Sequence, residues 1–147
     1  MTIATVTADT KPGTAYYQFE TPRNPKDGMS PLSRWISKSF AYGDQTASVV
    51  SIDVAPGTRV TRVALEISTA FTGTTAVEVG DATDPNGWIA SGVITPTTAN
   101  DFGLDYDAAY SVKGKKYTSG GQITVTFTGI ATAGTGILWA DVISYNE

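Results

Sequence analysis

The stretch Gly80-Asp81-Ala82-Thr83-Asp84-Pro85-Asn86-Gly87-Trp88 gathers Asp81, Asp84 and Asn86 within six residues. Hard cations such as Ca²⁺ are held by oxygen ligands of this kind. The spacing is not the alternating D-x-[DN]-x-[DN]-G of an EF-hand loop. Asp and Asn before Pro and Gly also build turns through side-chain-to-backbone hydrogen bonds. The turn is the favoured reading and no cofactor is expected, with Asp81, Asp84 and Asn86 kept as the candidate cation ligands. A second group is Asp101, Asp105 and Asp107, with Tyr106 and Tyr110 beside them. Paired carboxylates hydrolyse glycosides when one has a raised pKa inside a cleft. Nothing in the spacing supplies either condition, so an acidic loop facing water or a basic partner is expected. Lys113-Gly114-Lys115-Lys116 suits phosphate or an acidic protein surface, and otherwise reads as an exposed hairpin turn. Gly134-Thr135-Gly136 reads as a turn and lacks the GxxxxGK[ST] pattern of a phosphate loop.

The residues that are missing exclude more than those present suggest. The 147-residue chain has no Cys and no His. Disulfides, thiolate zinc sites and thiol nucleophiles are therefore excluded, as is any Ser-His-Asp arrangement. Acid–base chemistry would rest on Asp, Glu, Lys or Tyr, and none of these forms a catalytic signature. A net charge of −4 argues against a broad basic face for nucleic acid. The N-terminus has neither the basic n-region nor the apolar h-region of a signal peptide. No apolar run approaches the ~18 residues of a membrane-spanning helix. A soluble protein without nucleic-acid or membrane partners is expected.

These groups need elements to position them, and the elements read as strands. Thr accounts for 23 of the 147 residues and charged residues for only 16%, a composition that suits pleated strands. Val50, Ile52 and Val54 alternate with Ser51 and Asp53, and Pro56-Gly57 follows as a turn. Val63, Leu65 and Ile67 alternate with Ala64, Glu66 and Ser68, up to Phe71 and a turn at Gly73. Val77 and Val79 flank Glu78. Trp88–Ile94 is a short apolar segment, with a bulge or bend expected at Gly92. Tyr110–Tyr117 is a more polar candidate strand. Ile123, Val125 and Phe127 alternate with Thr124, Thr126 and Thr128, and Ile137–Tyr145 is the last strand. Seven or eight short strands without a helix-length apolar stripe predict an all-β antiparallel sandwich, most economically an eight-stranded jelly roll.

The chain divides into two unequal parts. Residues 47–147 hold the strands and carry a net charge of −5. Residues 1–46 are interrupted by Pro12, Pro22, Pro25 and Pro31 and carry +1. Tyr16, Tyr17, Phe19, Trp35, Ile36, Phe40 and Tyr42 are too many aromatic and apolar groups for a solvated tail. They fit either an irregular lead-in covering one end of the core or an extended arm docking on a neighbouring chain. One short helical turn is expected between Ser33 and Phe40. Trp139 is expected to pack inside its strand and Trp88 to close a loop over the core edge. Trp35 is expected to meet another chain.

The run Val63–Thr74, then Val77–Trp88 with Gly80-Asp-x-Thr-Asp-x-x-Gly87 before an aromatic, resembles small structural proteins of tailed-bacteriophage heads. Gly121–Gly129 is similar to them as well. The resemblance covers roughly residues 58–145. The family is that of capsid decoration, or cement, proteins, often jelly rolls on the outside of an icosahedral shell. The resemblance implies no catalysis and carries no catalytic residues. It implies binding to the major capsid protein at capsomer junctions and self-association, with a homotrimer favoured over a homodimer.

The expected function is therefore a non-enzymatic virion protein on the capsid exterior, made in the host cytoplasm. Tyr16, Tyr17, Phe19, Arg23, Arg34 and Trp35 are the candidate partner-binding residues, because buried aromatics and Arg dominate interface energies. Two alternatives stand beside it. One is a carbohydrate-binding sandwich, which requires an exposed row of Trp or Tyr on one sheet. The other is a different virion part, such as a head–tail connector or a tail protein.

Overall fold

The structure, a computed structural model, describes residues 32–44 and 49–144. Eight strands run through the described residues: β1 Leu32–Ala41, β2 Val49–Val54, β3 Thr58–Thr72, β4 Ala76–Gly80, β5 Asp101–Gly103, β6 Lys115–Tyr117, β7 Gly121–Thr128 and β8 Ala133–Ser144. One sheet has the order β1-β8-β3, and β3 continues to β5 and β6 at different points along its length. The second sheet has the order β2-β7-β4. All pairings between strands are antiparallel.

The topology follows from nested pairing. β1 pairs with β8, β2 with β7 and β3 with β6, so the chain folds back on itself as one long wrapped ribbon. Consecutive strands β1 to β4 alternate between the sheets. This is the wrapping of an eight-stranded jelly roll, and the all-β sandwich expected from the sequence is what forms. One pairing departs from the nested series: β5 pairs with β3, at Leu65–Ile67, instead of with β4. At 15 residues, β3 is long enough to hold β6 at Thr58–Val60 and β5 further along.

Period-2 alternation places the core. Val60, Leu65, Ile67 and Phe71 of β3, Leu138 and Val142 of β8, Val77 and Val79 of β4, and Ile123 and Val125 of β7 are all buried between the sheets. The long β4–β5 connection adds Trp88, Ile89 and Ile94 to this core. An isolated bridge from Val79 to Ile89 folds the connection back onto β4.

Four local expectations are corrected. Ser33–Phe40 is not a helical turn; it lies within β1, paired along its length with β8. The partner strand supplies hydrogen bonds that local propensity does not anticipate. Trp88–Ile94 is no strand but a connection whose apolar side chains fill the core from the side. Of Tyr110–Tyr117, only Lys115–Tyr117 forms a strand. Gly134-Thr135-Gly136 is not a turn but lies inside β8. Gly134 adopts φ +124°, and a Cβ there would collide with the Phe71 ring. The glycine lets the strand pass close over an aromatic side chain.

Candidate functional site

Two features bear on function: a buried polar network around Asp81, and the outward face of the β1-β8-β3 sheet.

Asp81 follows directly on β4 and is buried. Its Oδ1 accepts hydrogen bonds from the backbone N–H of Thr83 (2.9 Å) and Asp84 (3.1 Å) and from the Tyr110 hydroxyl (3.3 Å). Its Oδ2 accepts from the Tyr117 hydroxyl (3.0 Å) and from the Lys115 ammonium. Tyr117 in turn accepts from the Trp88 indole Nε1 at 3.2 Å. Lys115 also donates to the Tyr110 hydroxyl at 2.9 Å and sits 4.2 Å from that ring's centroid. The loop turns tightly because Gly80 has no Cβ, which would run into the Asp84 and Pro85 backbone.

The electrostatics of the network follow from its contacts. Burial pushes the Asp81 carboxyl upward, but the bonds from Lys115, the Thr83 and Asp84 amides and Tyr117 outweigh burial and hold it below its ordinary value. Burial pushes Lys115 downward, but Asp81 and Tyr110 raise it above its ordinary value. Burial and the neighbouring Asp81 charge raise the Tyr117 phenol, against the bond from Trp88. The carboxylate, the ammonium and the neutral phenol are thus the favoured forms together. Both oxygens of Asp81 face protein donors, which is a structural bolt and not a vacant ligand set. Asp84 is half-buried and Asn86 exposed. Among the described residues no group of three acidic side chains is placed to hold a metal ion.

The other sequence candidates disperse. Asp101 accepts from the Thr95 amide at 2.7 Å, and Asp105 accepts from the Ala90 and Asp107 amides, both at 3.0 Å. Their carboxylates therefore order loop backbone. Within the basic cluster, Lys115 turns inward to Asp81, whereas Lys116 lies opposite Arg59 of β3. Arg59 donates to the Lys113 carbonyl at 3.0 Å, drawing a third cation to the same corner. Only the hairpin's proximity was legible in sequence; Arg59 joins it through strand pairing. Tyr16, Tyr17, Phe19 and Arg23 lie outside the described residues. Arg34 is exposed on β1, which is at the end of its sheet among the described residues.

The three Trp residues part company. Trp88 is fully buried, deeper than a loop closing the core edge. Trp139 does not pack inside. Leu138 and Ala140 point into the core, so alternation sends Trp139 outward, where it is half-buried. Its Nε1 is buried, with no hydrogen-bond partner among the described residues. Trp35 is 49% exposed and pairs in register with Asp141, one row from Trp139. Ile137, Ile143 and the 55%-exposed Phe102 share this face through the registers Glu66↔Ile137, Glu66↔Phe102 and Arg59↔Ile143. An apolar stripe thus crosses the outer surface of the sheet. Asp141 in its middle accepts from Thr61 at 2.8 Å and lies 3.9 Å from Arg62.

No protein-family model matches the chain, and no curated protein matches it. Solved structures do. A chain of the cyanophage Pam1 capsid asymmetric unit aligns with a TM-score of 0.56 and 17% identity, covering 92% of this chain and 100% of that one. A chain of the acidic stable capsid structure of Helicobacter pylori bacteriophage KHP30 aligns with a TM-score of 0.53 and 17% identity, covering 76% of this chain and 87% of that one. The resemblance read in the sequence is thus met at the level of the fold: this sandwich is shared with chains of two phage capsids.

Proposed function

We propose that the protein is a non-enzymatic structural component of a phage virion that binds the outside of the head and stabilises it. The observation that carries this reading is the fold shared with a Pam1 capsid chain over 92% of this chain and the whole length of that one. In this reading the partner is the major capsid protein, met at junctions between capsomers. The residues before β1 form an arm, with Tyr16, Tyr17, Phe19 and Arg23 as its anchors, and Trp35 and Arg34 extend the contact onto the sandwich. Copies also associate with one another, as a homotrimer or a homodimer. Low charge and outward Thr and Ser positions suit a body that stays dispersed before assembly.

Fractionation of a phage lysate on a density gradient, with this chain followed by quantitative mass spectrometry, tests the reading. Decoration predicts banding with DNA-filled heads in hundreds of copies. A dozen copies or fewer per particle would give the protein a connector or tail role instead. Free protein at the top of the gradient would refute the virion reading. Within the arm, replacing Tyr16, Tyr17 and Phe19 together by Ala should abolish head binding in the full chain; unchanged occupancy would remove the arm from the account.

A second reading has one observation in its favour. Trp35, Trp139 and Phe102 share one outward sheet face, and exposed aromatic rings are what a carbohydrate-binding sandwich presents. Titration of Trp emission with a panel of polysaccharides tests it, and the absence of any shift would dismiss it.

A further inference from the structure

All five cations of residues 47–147 lie in two short stretches: Arg59 and Arg62, then Lys113, Lys115 and Lys116. Arg59 and Lys113 are 54 residues apart in the chain. Strand pairing closes that distance. Arg59 of β3 pairs in register with Lys116 of β6, and its guanidinium donates to the Lys113 carbonyl at 3.0 Å. A register shift between Val60 and Arg62 adds the next member. Strict alternation would send Arg62 inward with Val60; the bulge turns it outward beside Asp141, on the face that Arg59 occupies. Lys115 points the other way, onto Asp81. Arg59, Arg62, Lys113 and Lys116 thus stand at one corner of a body whose net charge is −5. Arg59 to Arg62 spans about 10 Å at ~3.3 Å per residue.

Folding does not ask for this arrangement. Like charges directly opposite one another weaken a strand pair, and Arg59 and Lys116 are such a pair. The Arg62 side chain is 60% exposed, and at 3.9 Å from Asp141 an ion pair of this kind adds little to stability. Lys113 and Lys116 are exposed as well. Cations gathered against their own repulsion suit a partner that brings the opposite charge.

We propose that this corner docks on an acidic protein surface, a cluster of Asp and Glu side chains with apolar groups among them. Within the virion reading, on which this rests, that surface belongs to the shell, and the contact is separate from the arm and from Trp35. Apolar neighbours select protein over nucleic acid. Val112, 67% exposed, precedes Lys113, and Ile143 lies opposite Arg59. Arg set among apolar side chains is the make-up of a protein interface, whereas a phosphate backbone is met by cations and polar groups. Asp141 stands in the corner too and repels phosphate, while a protein partner can set a Lys or an amide against it. Complementary charge steers such a partner in and fixes its register. The negative body turns acidic surfaces away elsewhere, which confines the approach to this corner.

Binding of the fluorophore-labelled full chain to phage heads that lack it, and to two defined probes, poly-L-glutamate and a short DNA duplex, tests the corner. Arg59→Gln combined with Lys116→Gln should weaken binding to heads and to poly-L-glutamate at least about tenfold. Rising NaCl should bring the wild type down toward the variant. Thr97→Glu combined with Thr98→Glu serves as the control. It shifts net charge equally, on exposed residues beside Pro96, whose carbonyl accepts from the Phe71 amide at the other end of β3. It should leave both affinities unchanged. Near-ultraviolet circular dichroism confirms that each variant is folded. If Arg59→Gln fails to fold, Lys113→Gln combined with Lys116→Gln carries the test, because it keeps the Arg59 bond to the Lys113 carbonyl.

Heads that bind wild type and variants equally overturn the proposal and leave the virion reading intact. An equal loss in the Thr97/Thr98 control reduces the effect to net charge and overturns it too. So does a duplex held more tightly than poly-L-glutamate, which assigns the corner to nucleic acid. A wild type that binds neither heads nor poly-L-glutamate overturns it as well. Binding to poly-L-glutamate that the corner variants lose, without binding to heads, upholds the corner and removes the virion reading.

Discussion

At one end of the sandwich Phe40, Phe71 and Phe127 close the gap between the sheets, with ring centroids 5.9, 6.0 and 4.8 Å apart. At the other end the gap is closed by Asp81 under five donors, with Trp88 and Tyr110 edge to face at 5.4 Å. Both ends bury aromatic rings, but they differ in what burial demands. The Phe end asks only for apolar volume, and its stabilisation is indifferent to pH. The Asp81 end must satisfy every donor and acceptor it buries. In return it fixes positions: one carboxylate ties the turn after β4, strand β6 and the loop at Tyr110 into a single arrangement. The difference teaches that the molecule uses apolar packing where two sheets merely meet, and a polar bolt where a long connection has to be held in one place.

Substitutions at the two ends should separate these roles. Phe71→Ala is expected to cost most, about 4 kcal/mol, through lost transfer energy and the cavity left between Phe40 and Phe127. Chemical denaturation should show this loss equally at pH 5 and pH 7. Asp81→Asn should cost about 3 kcal/mol, because it leaves the Lys115 ammonium without its counter-charge. A loss under 1 kcal/mol would mean that the network is decorative.

The pH profile sharpens the contrast. Asp81 is held below its ordinary value, so its contribution is present above about pH 4 and is lost as pH falls through the lower folded value. Lys115 and Tyr117 are raised, so their contributions are present below about pH 10 and are lost as pH rises beyond it. Stability titrated from pH 2 to 7 should lose about one proton of slope in Asp81→Asn and keep its full slope in Phe71→Ala. Equal slopes would erase the distinction between the ends.

Smaller effects follow. Tyr117→Phe removes the donor to Asp81 and the acceptor of the Trp88 indole, at a cost of about 2 kcal/mol, read as a lowered denaturation midpoint. Trp35→Ala, on the exposed face, should change stability by no more than about 0.5 kcal/mol while weakening association. A large loss of stability there would make Trp35 a packing residue and not a surface one.

Much of the strand content was legible because alternation is a local property. Val50-Ile52-Val54 and Ile123-Val125-Phe127 read directly as strands with one buried face, and both are. Trp139 shows where local reading slips. Its bulk suggested the interior, yet its neighbours Leu138 and Ala140 claim the core, and period 2 leaves it no choice but the outer face. The same register placed it with Trp35, more than a hundred residues earlier. Asp81 was singled out as a loop acid, but nothing local announced that Lys115 and Tyr117 would turn onto it.

By itself the sequence determined the composition, the absence of Cys and His chemistry, the alternating strands and the turns at Pro56-Gly57 and Gly73. These depend on residue type and on a spacing of two, which neighbours along the chain settle. Tertiary structure decided the rest: that Ser33–Phe40 extends as a strand along β8, that Gly134 and Gly136 pass inside β8, that Arg59 joins the basic hairpin, and that Asp81 meets Lys115. Each of these rests on a partner brought close only when distant strands pair. Their hydrogen bonds, charges and packing are supplied across the sheet, where the local sequence holds no record of them.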